Sequence, residues 1–130
     1  MTKAARIAPP GSMAAHGTLL KACRDLLIMR GVPCFRIQQK ASQRRDGTWY
    51  AGSDVGAPDL IGCLPGGRVL FIEVKTGKGR ATMEQIGAIG DWTKAGAACY
   101  VIRDIGQLQA ELDRLMPRRV IGNRGIVSEF

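Results

Sequence analysis

The segment that most restricts how this chain can fold is a pair of apolar runs separated by a turn signal. The runs are APDLIGCL at 57–64 and RVLFIEVK at 68–75, and PGG stands between them. Two apolar runs around a short, glycine-containing loop predict a β-hairpin. The second run is typical of a buried strand, except that Glu73 and Lys75 interrupt its end. The hairpin therefore has to carry two charged side chains next to a core.

The charges of this hairpin fall on one face of the predicted sheet. Side chains alternate along a strand, so Glu73 and Lys75 point the same way. If the turn is formed by the three residues 65–67, counting outwards pairs Asp59 with Glu73 on that face. A two-residue turn would shift the register by one position and place Asp59 opposite Val74. With the longer turn, the hairpin gathers two carboxylates and an ammonium.

Such a cluster has a chemical use and a simpler alternative. Two carboxylates this close repel each other unless a cation lies between them, and oxygen ligands suit Mg²⁺, which keeps several waters for a phosphate to replace. Lys75 beside the ion could orient an attacking water and offset charge on the phosphate. The alternative is a surface salt bridge between Glu73 and Lys75, with Asp59 as a turn residue after Pro58. The apolar character of the strand favours the metal site.

Length and charge suggest one domain with a polyanionic partner. A chain of 130 residues has the size of a single domain that can bury its own core. Lys and Arg number 19 against 11 Asp and Glu, and the net charge of +8 favours nucleic acid as a partner, although a merely soluble basic protein is the alternative.

Cysteine usage and hydropathy exclude several classes. The four cysteines form no CxxC pair and the chain has one histidine, so neither a zinc site nor a disulfide framework is indicated. No apolar run approaches about 18 residues and no signal-peptide pattern is present, so we expect a soluble, intracellular protein without a membrane partner.

The remaining periodicities predict an α/β domain with a mixed β-sheet flanked by helices. A leader at 1–13 is expected to be disordered and 117–130 to form a basic tail or an interface strand, leaving the domain at 14–116. Within the second helix, Met83, Ile86, Ile89 and Trp92 form one apolar stripe. The predicted order is helix 14–30, strand 32–38, loop or loose hairpin 39–56, hairpin 57–75, helix 82–96, strand 97–103 and helix 104–116.

The motif spacing resembles a known family. APD is followed by EVK so that Asp59 and Glu73 stand 14 positions apart, which is similar to the PD-(D/E)XK nuclease superfamily. GAPDLIGC, FIEVKTGKGRATMEQ and KAGAACYVIRD resemble its VRR-NUC branch, in the small standalone form of phages and bacteria. The resemblance covers about residues 14–115. It implies a restriction-endonuclease-like core and a metal-dependent nuclease using Mg²⁺ or Mn²⁺.

The resemblance also implies roles for individual residues. Asp59 and Glu73 would be metal ligands, the backbone carbonyl of Val74 would complete the protein's share of the coordination, and Lys75 would be the catalytic lysine. Gln85 matches a glutamine that the family places on the next helix, pointing back to the site. The residues themselves also give Gln85 a structural role, because TMEQ at 82–85 is a capping box in which Gln85 reaches back to the helix start. Both roles are expected.

One position departs from the family pattern. Family members carry a glutamate on the first helix, and His16 takes that position here. An imidazole there could bind the metal or contact phosphate, whereas a lone histidine near a helix start is more often a cap or an exposed side chain. If His16 replaces a carboxylate ligand, the metal preference would move toward Mn²⁺, which tolerates nitrogen ligands better than Mg²⁺ does.

Two basic segments are candidates for DNA contact. In the first segment, at 36–50, cations are followed by two aromatics. The cations could bind phosphates and the aromatics could stack on bases, although a solvated polar loop is the alternative. KTGKGR at 75–80 adds cations in a glycine-rich turn that lacks the P-loop pattern, so backbone contact with DNA is expected there and nucleotide binding is not. The candidate DNA-binding residues are Arg36, Lys40, Arg44, Arg45, Trp49, Tyr50, Lys78 and Arg80.

These observations together predict a structure-selective DNA endonuclease. No recognition helix, zinc finger or second domain is visible that could select a base sequence. The resemblance implies a homodimer whose two sites cut opposed strands of a branched DNA such as a Holliday junction, in the cytoplasm of a bacterial or phage-infected cell. The alternatives are a DNA-binding module that retains the fold without useful turnover, and a sequence-specific restriction-type endonuclease.

Overall fold

The structure, a computed structural model, describes residues 12–37, 42–50, 55–116, 120–122 and 125–127. It is a mixed α/β fold with three helices, so the predicted class is confirmed, as is the predicted order of the main elements. The elements are α1 (Met13–Met29), β1 (Cys34–Arg36), β2 (Ser42–Gln43), β3 (Trp49–Tyr50), β4 (Leu60–Cys63), β5 (Val69–Val74), α2 (Met83–Lys94), β6 (Ala98–Ile102), α3 (Ile105–Leu115), β7 (Val120–Gly122) and β8 (Gly125–Val127).

The structure describes only part of the chain at each end. Of the predicted leader, residues 1–11 lie outside the described residues, and α1 begins at Met13 after the cap Ser12. Within the predicted tail, β7 and β8 pair as a separate two-stranded antiparallel sheet. None of the helices in the described ranges is long and apolar enough to cross a membrane.

The central sheet has four strands in the order β1-β4-β5-β6. The first two pairings are antiparallel and the β5–β6 pairing is parallel, so the predicted mixed sheet is confirmed. A helix separates β5 from β6, which supplies the long connection that parallel pairing requires. The last two strands therefore end at the same edge of the sheet.

The hairpin of β4 and β5 has the register that the three-residue turn predicts. Cys63 pairs with Val69, and the Leu64 amide donates to the Arg68 carbonyl at 2.8 Å. Gly66 and Gly67 have φ of 92° and 96°, a region that glycine enters without strain, so the turn closes with residues 65–67. At the open end of the hairpin, Leu60 pairs with Ile72. The next position outward sets Asp59 opposite Glu73.

The main core lies between one face of the sheet and the helices α1 and α3. In β5, Leu70, Ile72 and Val74 are completely buried on this face, and Phe71 and Glu73 on the opposite face are buried as well, so β5 is a central strand covered on both sides. Burying one such side chain contributes roughly 1.5–3 kcal/mol relative to leaving it in water. Cys23 of α1 belongs to this core, and burial raises the pKa of its thiol to about 11, so it behaves as a small apolar residue.

Helix α2 lies on the opposite face of the sheet and covers it only in part. Trp92 contacts Phe71 of β5, with ring centroids 5.6 Å apart. The first part of the predicted apolar stripe of α2 is open, since Met83 is 78% exposed and Ile86 is 53% exposed, whereas Ile89 is partly buried. Within α2 only Gln85 is buried. The stripe is therefore a surface of the single chain and not a face of its core.

Candidate active site

The hairpin brings Asp59 to the end of β5, where β5 leaves the sheet. One carboxylate oxygen of Asp59, Oδ2, accepts a hydrogen bond from the Val74 amide at 2.8 Å, and the Asp59 side chain is 15% exposed. The Asp59 carbonyl accepts from the Ile37 amide at 2.9 Å, so the chain beyond β1 holds its backbone. Asp59 is thus fixed from both sides, with its carboxylate at an open edge of the sheet.

Glu73 is a buried carboxylate whose charge is only partly balanced by its neighbours. The residue is 2% exposed, and its Oε2 has no hydrogen-bond partner among the described residues. Burial, and then the neighbouring Asp59 carboxylate, raise the pKa of Glu73 from 4.5 to about 7, while Lys75 opposes the shift. When both carboxylates are ionised, the single ammonium of Lys75 therefore offsets only part of their charge.

Lys75 lies two residues after Glu73, on the same face of the sheet. Its Nζ lies 3.3 Å from Glu73 Oε1, and its side chain is 17% exposed. The Lys75 amide donates to the Ile102 carbonyl at 3.0 Å, so parallel pairing with β6 continues just past the last residue of β5. An ammonium held beside a buried carboxylate and reached by solvent is suited to orienting a water molecule.

His16 reaches this site from α1. Its Nε2 lies 3.1 Å from the Val74 carbonyl oxygen and 3.4 Å from Asp59 Oδ2. Helix α1 is capped by Ser12, whose hydroxyl accepts from the Ala15 amide at 3.0 Å. The alternative role of His16 as a cap is therefore wrong, because Ser12 already fills it, and its imidazole turns toward β5 with 35% of its surface exposed.

Gln85 has the structural role that its sequence context predicts. Its Oε1 accepts from the Thr82 amide at 2.9 Å, and its own amide donates to Thr82 Oγ1 at 3.2 Å, which completes the capping box. Its hydrogen bonds to these groups do not reach Asp59, Glu73 or Lys75. The active-site role of Gln85 stays a prediction.

The predicted DNA-contacting residues are exposed where the structure describes them. Arg36 ends β1, and Arg44 and Arg45 lie between β2 and β3, which pair as a short hairpin within the predicted 39–56 stretch. Lys78 and Arg80 are exposed in the turn that follows Lys75. Lys40 lies outside the described residues, and of Trp49 and Tyr50 only the backbone of β3 is described.

Two residues that support the site were not singled out from the sequence. Arg103 donates from Nη2 to the Gly79 carbonyl at 2.9 Å and so holds the turn that carries Lys78 and Arg80. Gly56 has φ of 87°, and a Cβ placed there would lie 2.6 Å from the Glu84 carbonyl oxygen of α2. A glycine just before APD was the available signal for Gly56, whereas the sequence gives none for Arg103.

The donor set at this site matches a hard divalent cation. No three His, Cys, Asp or Glu side chains in the described part of the chain are placed to hold a metal on side chains alone, so an ion would also need the Val74 carbonyl. One or two carboxylates with additional oxygen ligands and waters are what Mg²⁺ takes in proteins. The unpartnered, buried Oε2 of Glu73 is the atom that such an ion would satisfy.

Comparison with known proteins does not assign the site. No protein-family model matches the chain, and no curated protein or solved structure matches it. What the site can do is therefore inferred from its own geometry and chemistry.

Proposed function

We propose that this chain is a metal-dependent DNA endonuclease of the VRR-NUC type, with a restriction-endonuclease-like core. The observation that carries the proposal is the convergence of Asp59, Glu73 and Lys75 at the end of β5, with Glu73 buried and one of its oxygens unpartnered. A buried carboxylate oxygen without a hydrogen-bond partner is unfavourable unless a cation or a proton satisfies it. We therefore expect this site to bind a cation and to use it in its function.

Each residue of the site has a part in phosphodiester hydrolysis. Asp59, Glu73 and the Val74 carbonyl would hold Mg²⁺ or Mn²⁺, and the bound ion supplies Lewis-acid polarisation of the scissile phosphate. Lys75, whose Nζ lies 3.3 Å from Glu73 Oε1, orients the water that attacks phosphorus in line and offsets the charge that develops on the phosphate oxygens. The capping box that Gln85 forms with Thr82 stabilises the start of α2. We also propose that the Gln85 side chain contacts the reacting groups.

The surface around the site supports a DNA substrate. Arg36 is exposed at the end of β1 and Arg45 between β2 and β3, while Lys78 and Arg80 are exposed on the turn that follows Lys75. With a net charge of +8, these cations would bind phosphates by releasing counterions. Such contacts position a duplex without reading its sequence, which favours selection of DNA by shape.

A homodimer would give the two cuts that a branched DNA such as a Holliday junction requires. Met83 and Ile86 are exposed on the first turn of α2, and Trp92, near the end of the same helix, is 39% exposed. A row of large apolar side chains of this kind is typical of a protein interface. We therefore propose that two chains associate in the cytoplasm through α2 and present their sites to opposed strands.

The test is cleavage of end-labelled four-way junction, flap and linear duplex of matched sequence, with Mg²⁺, Mn²⁺ or EDTA. The wild type is expected to cut branched DNA with metal and not with EDTA, and Asp59→Asn is expected to abolish cutting. Asp25→Asn is the matched control, because Asp25 is an exposed α1 carboxylate paired only with Lys21 among the described contacts. It should cut as the wild type does.

Two other outcomes would replace the proposal. If the wild type binds all three DNAs and cuts none with either metal, the chain is a DNA-binding module on this fold. If cutting is confined to one duplex sequence, it is a restriction-type endonuclease.

A further inference from the structure

Arg103 follows the end of β6 and lies next to Lys75. Strands β5 and β6 run parallel, and Val74 pairs with Ile102. The pairing continues one residue further, because the Lys75 amide donates to the Ile102 carbonyl at 3.0 Å. Neighbouring strands lie about 4.8 Å apart, so the next position outward sets Arg103 beside Lys75 at the edge of the sheet that carries the candidate site.

The backbone of Arg103 is held by the first turn of α3. The Arg103 amide donates to Gln107 Oε1 at 2.9 Å, and Gln107 Nε2 donates to the Val101 carbonyl at 2.9 Å. Asp104, the neighbouring carboxylate, caps α3 by accepting from the Gln107 amide at 2.9 Å. The point from which the Arg103 side chain starts is therefore fixed by the protein itself.

The Arg103 side chain in turn holds the glycine-rich turn that follows Lys75. Arg103 Nη2 donates to the Gly79 carbonyl at 2.9 Å, and the Gly79 amide donates to the Thr76 carbonyl at 3.1 Å, which closes the turn. A Cβ placed on Gly79 would lie 3.8 Å from Lys75 Cδ, so the turn folds back over the stem of the lysine. The turn and the guanidinium therefore form one fixed unit beside Lys75.

The cations of this unit are not neutralised by carboxylates in the described part of the chain. Lys78, Arg80 and Arg103 are exposed, and none of them belongs to an ion pair among the described residues. By contrast, Arg30 and Arg114 are each paired with a carboxylate, at 2.8 Å and 2.6 Å. A guanidinium has five N–H donors in one plane, and the described contact of the Arg103 side chain with the turn uses a donor of Nη2 alone. Its other donors can therefore bind an anionic ligand.

We propose that Arg103 binds the DNA backbone phosphate next to the scissile one, as the fixed member of a phosphate subsite that includes Lys78 and Arg80. A planar guanidinium can bind two phosphate oxygens at once, whereas an ammonium acts as a point charge. Successive phosphates of one strand advance by about 3.4 Å along the helix axis, which is comparable to the separation of the strand ends that carry Lys75 and Arg103. The inference rests on the proposed function, because it concerns the DNA on which that site would act.

The salt dependence of DNA binding tests this contact without any need for cleavage. A fluorescent four-way junction is titrated with protein in EDTA, and fluorescence anisotropy gives the dissociation constant from about 50 to about 200 mM salt. Each neutralised phosphate contributes about 0.9 to the slope of log affinity against log salt, so Arg103→Gln is expected to lower the slope by about 0.9 and to weaken binding by about tenfold. Arg103→Lys keeps the charge and is expected to keep the slope of the wild type.

Lys94→Gln is the matched control. It removes the same charge from an exposed residue at the other end of α2, before β6 begins, and it should leave slope and affinity unchanged. Because Arg103 and Lys94 are both exposed, their variants are expected to fold, and circular dichroism verifies this.

Cleavage of junctions that carry a single neutral methylphosphonate locates the phosphate. In the wild type, a methylphosphonate next to the cut is expected to slow cleavage by about tenfold. In Arg103→Gln the same change to the DNA is expected to cause no further loss, because the contact is already absent. A wild type that cuts at an unchanged rate with a methylphosphonate at either position beside the cut would overturn the inference.

The outcomes separate this inference from the proposed function. If the wild type cuts the junction but Arg103→Gln and Lys94→Gln have the same salt slope, the nuclease stands and the phosphate contact is overturned. The contact is also overturned if Arg103→Lys does not restore the slope, because Arg103 would then act only by holding the turn. If the wild type binds the junction without cutting it, the nuclease is overturned, and a slope lowered by about 0.9 in Arg103→Gln still supports the phosphate contact.

Discussion

At the scale of single residues, Glu73 is the group whose surroundings are most unusual. It combines burial, a neighbouring carboxylate and an unpartnered oxygen, and Lys75 offsets only part of this. Its pKa of about 7 means that the Glu73 carboxyl retains its proton to a higher pH than an exposed glutamate does. In the proposed metal site, a proton and the cation would therefore compete for this carboxylate.

This competition predicts the pH dependence of stability without metal. The unfolded chain releases the Glu73 proton near 4.5, and the folded chain retains it to about 7, so the folded state binds more protons between these values and loses stability as pH rises. Relative to Glu73→Gln, the wild type should lose on the order of 2–3 kcal/mol of unfolding free energy between pH 5 and pH 8. Urea unfolding in EDTA measures this difference. A constant difference at both pH values would contradict the assignment.

Lys75 gives a second prediction at this scale. Lys75→Met keeps an unbranched side chain one atom shorter and removes the ammonium, so cleavage should fall by about a hundredfold or more while DNA binding persists. Single-turnover cleavage and a gel-shift assay measure the two effects. Lys21→Met, on the exposed surface of α1, serves as control and should cut normally. Equal loss of cleavage in both variants would argue against a catalytic role.

At the scale of elements, the site depends on how closely the segment before β4 approaches α2. Gly56 makes this approach, and an added Cβ there would lie 2.6 Å from the Glu84 carbonyl oxygen and 3.4 Å from the Gln85 amide. The contact sets the start of α2, with its capping box, against the segment just before β4, which contains Asp59. A backbone contact of this kind cannot be relieved by rotating a side chain.

Gly56→Ala is therefore expected to cost more than an equivalent change in an open turn. Positive φ and the backbone clash together should lower the unfolding free energy by about 3 kcal/mol. Gly66→Ala has a similar φ of 92° but nothing within 4 Å of its added Cβ, so about 1 kcal/mol is expected there. Urea unfolding of the two variants compares them. Equal losses would show that strain alone decides and that the close approach contributes nothing.

The sequence determines this level of structure where the interactions are local. The turn at 65–67 fixes the register that sets Asp59 opposite Glu73, and the capping box follows from the spacing of Thr82 and Gln85. The reach of His16 to β5 depends on how α1 packs on the sheet, a long-range contact that spacing does not encode. Helical periodicity likewise predicts the apolar stripe of α2. It does not predict which face of α2 packs on the sheet, because that also depends on long-range contacts.

At the scale of the whole molecule, the main core lies on one side of the sheet and the apolar stripe of α2 lies open on the other. Ile86 is 53% exposed on that stripe, and Met83 is 78% exposed. Ile86→Glu would place a charge in the proposed dimer contact and should convert the dimer into monomers. Ile105→Glu on α3, where the residue is 37% exposed, is the control and should leave the dimer intact. Sedimentation velocity measures both. A wild type that is monomeric at all concentrations would contradict the proposed homodimer.

The measurement that tests the central claim most directly is cleavage of a labelled four-way junction with Mn²⁺ by the wild type and by Glu73→Gln. The substitution keeps the shape of a buried side chain and removes its ability to carry charge, so folding is expected to survive. The account predicts that the folded variant binds the junction and does not cut it. Cutting by Glu73→Gln at the wild-type rate would contradict it, because the buried carboxylate would then have no part in the chemistry.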